Sequence, residues 1–203
     1  VVGVHAAQAA PSACAGHTGA TALTGSIGGA AYKIEMPATW NGTLFLYSHG
    51  YVFPGAPNPA TDVGDALTGG ALLAQGYALA GSSYSAEGWA LQQAFHDQIA
   101  LLNFFDSTCG HPSRTIAWGH SLGGIITAGL VQLYPGRFTA ALPMCGVVAG
   151  GVGTWNQALD GSFAFDVLLA ANALQIVSLD TLTPTQLNTD FGTAEGILGG
   201  AQG

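Results

Sequence analysis

Thr115-Ile116-Ala117-Trp118-Gly119-His120-Ser121-Leu122-Gly123-Gly124 decides how this chain is read. A short apolar run, Ile116 to Trp118, enters a Gly-His-Ser-Leu-Gly turn. A longer run, Leu122 to Tyr134, leaves it, and Pro135-Gly136 stops that run. The first reads as a strand and the second as a helix. Strand, turn and helix in direct succession are the context that gives a G-x-S-x-G pattern its meaning. So sharp a bend strains the serine backbone and stands its Oγ clear of the sheet. Gly119 and Gly123 leave out side chains where strand and helix would collide. The helix N-terminus behind Ser121 aims unbonded N–H groups at an anion formed there.

Working outward, the flanking sequence alternates strands with helices. Thr21 to Ile27 and Ala31 to Met36 read as strands joined at Gly28-Gly29, a hairpin signal. Lys33 and Glu35 alternate with Tyr32, Ile34 and Met36, which suggests a half-exposed edge strand. Thr43 to Ser48 is apolar on both faces, as a central parallel strand would be, and His49-Gly50-Tyr51 follows it. Asp62 to Gln75 reads as a helix, Tyr77 to Ser82 as a strand, Trp89 to Asp106 as a long amphipathic helix, and Phe138 to Cys145 as another strand. This order predicts an α/β fold, a mostly parallel sheet with helices on both faces. After Gly146 the character changes. Val147 to Gly153 is glycine-rich, Trp155 to Asn172 reads as one or two helices, Leu174 to Leu179 is a short apolar piece, and Thr183-Pro184 starts a helix.

Composition narrows the function. With 203 residues the chain can bury one substantial core. Eleven acids against three lysines and arginines leave a net charge of −8, which argues against a nucleic-acid partner or an anionic membrane surface. No apolar run is long enough for a membrane span. No His-Glu-x-x-His, paired Cys-x-x-Cys or phosphate-binding glycine loop is present, so neither a metal nor a cofactor is expected. Val1 to Ala10 reads as an N-terminal arm, with the remnant of a secretory signal as the lesser alternative. Few lysines and much Gly, Ala, Ser and Thr suit a secreted protein. The odd count of Cys14, Cys109 and Cys145 leaves either a Cys14–Cys109 bridge with one free thiol or three buried thiols.

Gly119-His120-Ser121-Leu122-Gly123, with His49-Gly50 upstream, resembles the α/β-hydrolase family over roughly Thr21 to Gly146. The resemblance implies that Ser121 is a nucleophile forming an acyl-enzyme. It implies oxyanion donors at the backbone N–H of Leu122 and, in the loop after the His-Gly strand, of Tyr51. His49 and Gly50 would support that loop rather than transfer protons. The family also implies a helical lid between its sixth and seventh strands, which places the hydrolase core at residues 1–146 and a lid or cap at 147–203. Phe53, Tyr84, Trp89 and Trp155 fall where they could line a substrate pocket near the serine, and ordinary packing is the competing reading for each.

The family order is Ser, then Asp or Glu, then His. In this chain no histidine follows Ser121, and Asp160, Asp166, Asp180 and Asp190 fall in the lid-like region. His120 adjoins the serine on a turn and points elsewhere. His96 and Asp97 diverge on a helix. The last strands of the fold, with the catalytic acid and histidine, are therefore expected outside this chain. The favoured expectation is a secreted carboxylester hydrolase whose C-terminal part is a second chain, separated within a mobile segment near Gly196 to Gly203. That partner would cover the apolar strand ending at Cys145. A secreted serine aminopeptidase, and a non-catalytic binding protein on a degenerate hydrolase fold, are the alternatives.

Overall fold

The computed structural model describes residues 14–200. The arm over Val1 to Ala10, with His5, lies outside the described residues, as do residues 201–203. The chain divides into two compact units, Val1–Val148 and Ala149–Gly203.

A six-stranded sheet organises the first unit. β1 (Leu23–Ile27) and β2 (Ala30–Glu35) form the expected hairpin, with Gly28 and Gly29 at φ 60° and 93°. Both angles lie where a two-residue hairpin turn needs them. β3 (Thr43–Ser48), α1 (Ala66–Ala74), β4 (Ala78–Ser82), α2 (Leu91–Thr108), β5 (Arg114–His120), α3 (Leu122–Leu133) and β6 (Ala140–Met144) follow in alternation. The strand order is β1-β2-β4-β3-β5-β6. The joins β1–β2 and β2–β4 are antiparallel, and the other three are parallel. This is the mostly parallel, helix-covered α/β sheet expected from the alternation.

Periodicity explains the core. Leu44 and Leu46 of β3 and Ala78 and Ala80 of β4 pack against Leu101, Leu102 and Phe105 of α2. Ala94 of α2 meets Leu122, Ile126 and Leu130 of α3. The alternate residues Phe45 and Tyr47 face the other side of the sheet, edge-on to Trp118 at ring distances of 5.6 and 5.2 Å. Cys14 and Cys109 are wholly buried in the α2 core and joined by a disulfide, while Cys145 is free and exposed.

Two local expectations are corrected. β2 is not an edge strand, because β1 lies along its outer side. Its charges are matched instead: Lys33 Nζ lies 3.0 Å from Glu35 and 2.9 Å from Asp62. Asp62, in turn, does not start a helix. It is buried in the loop before α1, which begins at Ala66 with Asp65 accepting the Thr68 N–H at 2.8 Å.

β6 is the outermost strand on the side opposite the hairpin. Its sequence is apolar, yet Ala140 to Pro143 are exposed, Leu142 by 50%. β3, equally apolar, is buried at five of its six positions.

The second unit holds α4 (Gly150–Leu168) and α5 (Pro184–Gly200). α4 is a single helix that already begins within the glycine-rich stretch, and Leu174 to Val177 is irregular rather than a strand. Thr183 and Gln186 cap α5 reciprocally, at 3.0 and 3.3 Å. The segment from Gly196, expected to be mobile, is helical as far as Gly200.

Candidate functional site

β5 passes into α3 through one residue, Ser121, at φ 55° and ψ −119°. A non-glycine residue in that region carries roughly 1–3 kcal/mol of strain and persists only where its surroundings impose it. The surroundings are rigid. The Ser121 N–H donates to Met144 O of β6 at 3.0 Å, and its carbonyl accepts the Gly124 N–H at 2.9 Å. The two glycines of the motif admit the end of β3: a Cβ on Gly123 would stand 1.9 Å from Ser48 O, and one on Gly119 2.4 Å from the same atom. The Ser121 side chain is exposed. The Leu122 N–H stands at the first position of α3, where a helix leaves its donors without internal partners.

The loop after β3 is set from beneath. Gln98 of α2, fully buried, donates from Nε2 to Tyr47 O at 2.6 Å and to Ser48 Oγ at 2.9 Å. His49 stacks on Tyr84 with ring centroids 4.1 Å apart, and the Tyr84 hydroxyl donates to His49 O at 3.1 Å. His49 Nδ1 lies 2.7 Å from Gly50 O, and Nε2 lies 3.1 Å from Ser83 O. A neutral imidazole has one N–H and can donate to only one of these carbonyls. Burial holds the His49 pKa below its usual value and outweighs the two carbonyls, which pull the other way. The Gly50 carbonyl faces His49, and no peptide bond among the described residues is cis. The N–H of Tyr51, across the same planar peptide, therefore points away from His49. Gly50 itself lies against the bend, with its Cβ position 3.6 Å from Ser121 Cβ.

Strain recurs around this point. Tyr84, Ser121 and Cys145 have φ of 62°, 55° and 47°, and each follows the C-terminal end of a parallel strand, β4, β5 and β6. Open parallel sheets bind ligands at that end of their strands, and backbone strain gathers at functional sites.

The other candidate residues separate. Tyr84 is 3% exposed, and burial pushes its phenol far above the usual pKa. It forms the floor under His49. Phe53 and Trp89 do gather with Tyr51, at ring distances of 5.2 and 5.7 Å. Trp155 belongs to α4 of the second unit and is 58% exposed. His120 turns Nδ1 to the Tyr47 hydroxyl at 3.1 Å. His96 is exposed, and Asp97 beside it accepts from Ser85 N and Oγ at 2.7 and 2.8 Å. His111 lies 3.4 Å from Asp106, and His17 2.8 Å from Thr21 O. Among the described residues no hydrogen bond joins a histidine to Ser121. Nor does any cluster of three or more His, Cys, Asp or Glu side chains among them form a metal site.

Sequence reasoning missed Gln98 and Asn58, which positions the same loop by donating to Ser83 O at 2.6 Å. Gln98 left a signal. It is the one polar residue in the buried stripe Ala94, Gln98, Leu101, Leu102 and Phe105 of an amphipathic helix, where an apolar side chain would be the default.

No family model and no curated protein matches this chain. Solved structures resemble it at low identity. An acetyl xylan esterase from Aspergillus awamori is 20% identical with a TM-score of 0.47, over 60% of this chain and 48% of that one. A probable hydrolytic enzyme from Pseudomonas aeruginosa is 17% identical with a TM-score of 0.47, over 71% and 52%. A proline iminopeptidase from Mycobacterium smegmatis is 14% identical with a TM-score of 0.48, over 86% and 67%. The chain spans about half the length of the first two.

Proposed function

We propose that this chain carries the nucleophile and the oxyanion donors of a serine hydrolase acting on carboxylic esters. The single observation that carries the reading is the bend: an exposed serine held at φ 55° between β5 and α3, against the His49-Gly50 loop. Ser121 Oγ adds to the ester carbonyl carbon while a base takes its proton. The Leu122 and Tyr51 N–H groups receive the negative oxygen, and losing one such donor costs roughly 3–4 kcal/mol of transition-state stabilisation. The intermediate collapses, the alcohol leaves with that proton, and the acyl group stays on Ser121. Water, deprotonated by the same base, adds to the acyl carbon and frees the acid.

The base and the acid that orients it belong, in this reading, to a separate polypeptide, the C-terminal part of the same hydrolase. Two observations support that: no described histidine is bonded to Ser121, and β6 is apolar but exposed. The buried Cys14–Cys109 bridge supports a secreted protein, since such bonds persist in oxidising compartments. The lid role of the second unit rests on its place in the sequence.

The test is labelling by a fluorophosphonate, located by peptide mass. Ser121 takes the label in the protein assembled with its remaining part and barely in this chain alone, and Ser121→Ala abolishes it. Absence of label in both forms rejects the hydrolase reading in favour of a binding protein on the same fold. Comparing p-nitrophenyl esters with aminoacyl anilides then separates esterase from aminopeptidase.

A further inference from the structure

The rings beside the bend are held as a unit. Tyr51 follows Gly50, whose Cβ position lies 3.6 Å from Ser121 Cβ, so its backbone stands one residue from the bend. Phe53 is edge-on to Tyr51 with centroids 5.2 Å apart and an interplanar angle of 85°. Trp89 is tilted against Tyr51 at 5.7 Å and 58°. The two loops that carry these rings are tied by backbone: the Gly88 N–H donates to Val52 O at 2.8 Å, and the Glu87 carboxylate accepts the Gly55 N–H at 2.5 Å. Within the first loop the Ala56 N–H donates to Phe53 O at 2.9 Å. Despite this fixation the side chains are exposed to solvent, Phe53 by 74%, Trp89 by 50% and Tyr51 by 37%.

Three exposed aromatic side chains in contact with one another, the first of them one residue past Gly50, which lies against the bend, call for an explanation, because contiguous exposed apolar surface marks a binding site more often than ordinary surface. We infer that Tyr51, Phe53 and Trp89 form a platform for an aromatic ring carried by the ester substrate, in its acyl or its alcohol part. The inference rests on the ester-hydrolase reading of Ser121. Ring geometry argues for an aryl occupant. Aromatic pairs prefer edge-to-face and offset stacks with centroids 4.5–7 Å apart, and gain affinity beyond the area they bury. Tyr51 already meets its two neighbouring rings at angles of 58° and 85°, the tilted and edge-on arrangements in which aromatic groups associate. Charge argues for a neutral one. Two carboxylates are bonded to these loops, Glu87 to the Gly55 N–H and Asp97 to Ser85, and the chain as a whole carries −8. An anionic aryl group would meet repulsion from these carboxylates.

The experiment compares two esters of equal carbon skeleton, methyl benzoate and methyl cyclohexanecarboxylate, titrated into the full chain and followed by NMR of the aromatic side chains. The expected result is at least fivefold tighter binding of the benzoate, with shifts confined to Tyr51, Phe53 and Trp89. Phe53→Ala and Trp89→Ala each lose most of that preference, and Trp89→Phe keeps it. Phe53 is mostly exposed, so its truncation leaves the fold intact even if the Trp89 variant misfolds. Equal affinity for the two esters, or a preference that survives Phe53→Ala, overturns the proposal. Ser121→Ala leaves ring binding unchanged, which separates this proposal from the function it rests on. Discrimination between esters without fluorophosphonate labelling sinks only the hydrolase. Labelling without discrimination sinks only the platform.

Discussion

Ser121 shows what one strained residue contributes. Its φ of 55° is not offset by a capping bond, because its side chain makes none to α3. Glycine adopts such a conformation freely. Ser121→Gly is therefore expected to raise stability by about 1 kcal/mol while removing the reactive oxygen. Urea unfolding checks it, and an unchanged midpoint would mean the bend is relaxed. His49 gives a second expectation. Its folded-state pKa lies below the usual value, so below about pH 6.5 the unfolded chain binds a proton that the folded one resists. Stability is fully present above that pH and falls as pH drops toward the folded-state value. The urea midpoint should be lower at pH 5.5 than at 7.5, and His49→Asn should flatten the difference.

Elements were legible where one signal dominated. The hairpin at Gly28-Gly29, the central apolar strand and the strand–turn–helix at Ser121 follow from local pattern alone, and their ends move by two residues or fewer in most cases. Pattern failed where a distant group decides. The alternation of Lys33 and Glu35 looks like an exposed face because a sequence does not display Asp62 folding back over it. Asp62 in turn looks like a helix start because its acid is read as a cap rather than as an ion-pair partner. Glu35 and Asp62 are 6% and 1% exposed. Burial pushes the Asp62 pKa up against the pull of Lys33. For Glu35 the hydrogen bonds from Lys33 and Gly19 outweigh burial and hold it down. Lys33→Met would leave two carboxylates without their cation, and a buried pair broken from one side costs about 3–5 kcal/mol. Thermal unfolding of the variant should show a loss of that size, and a loss below 1 kcal/mol would mean water already serves these groups.

For the molecule as a whole, the sequence discloses the serine and the His-Gly loop but not the side chains that hold them. Gln98 reaches the loop from α2 and Tyr84 from the segment after β4, while Asn58, further along the loop itself, ties it to Ser83, and only tertiary packing brings these groups together. Tyr84 shows the same limit: the sequence leaves both a pocket wall and ordinary packing open for it, and only the fold shows that it stacks on His49. The outer strand β6 supplies the prediction at this scale. Its apolar, exposed backbone edge can template pairing with another strand, and a charge there suppresses it. The chain alone should associate as its concentration rises in sedimentation velocity. Leu142→Lys should stay monomeric with unchanged thermal stability, and a wild-type chain that is monomeric throughout would remove the argument.

The buried bridge between Cys14 and Cys109 also bears on how the protein can be made. It closes a loop of 95 residues, a span for which chain entropy gives about 4–5 kcal/mol. A bacterial cytosol rich in glutathione would deliver the polypeptide with this clasp open and all three thiols available. Subsequent air oxidation would then let Cys145 compete for either partner and yield scrambled species. Export to the periplasm of the host, or Cys145→Ala before refolding, is the route to homogeneous material.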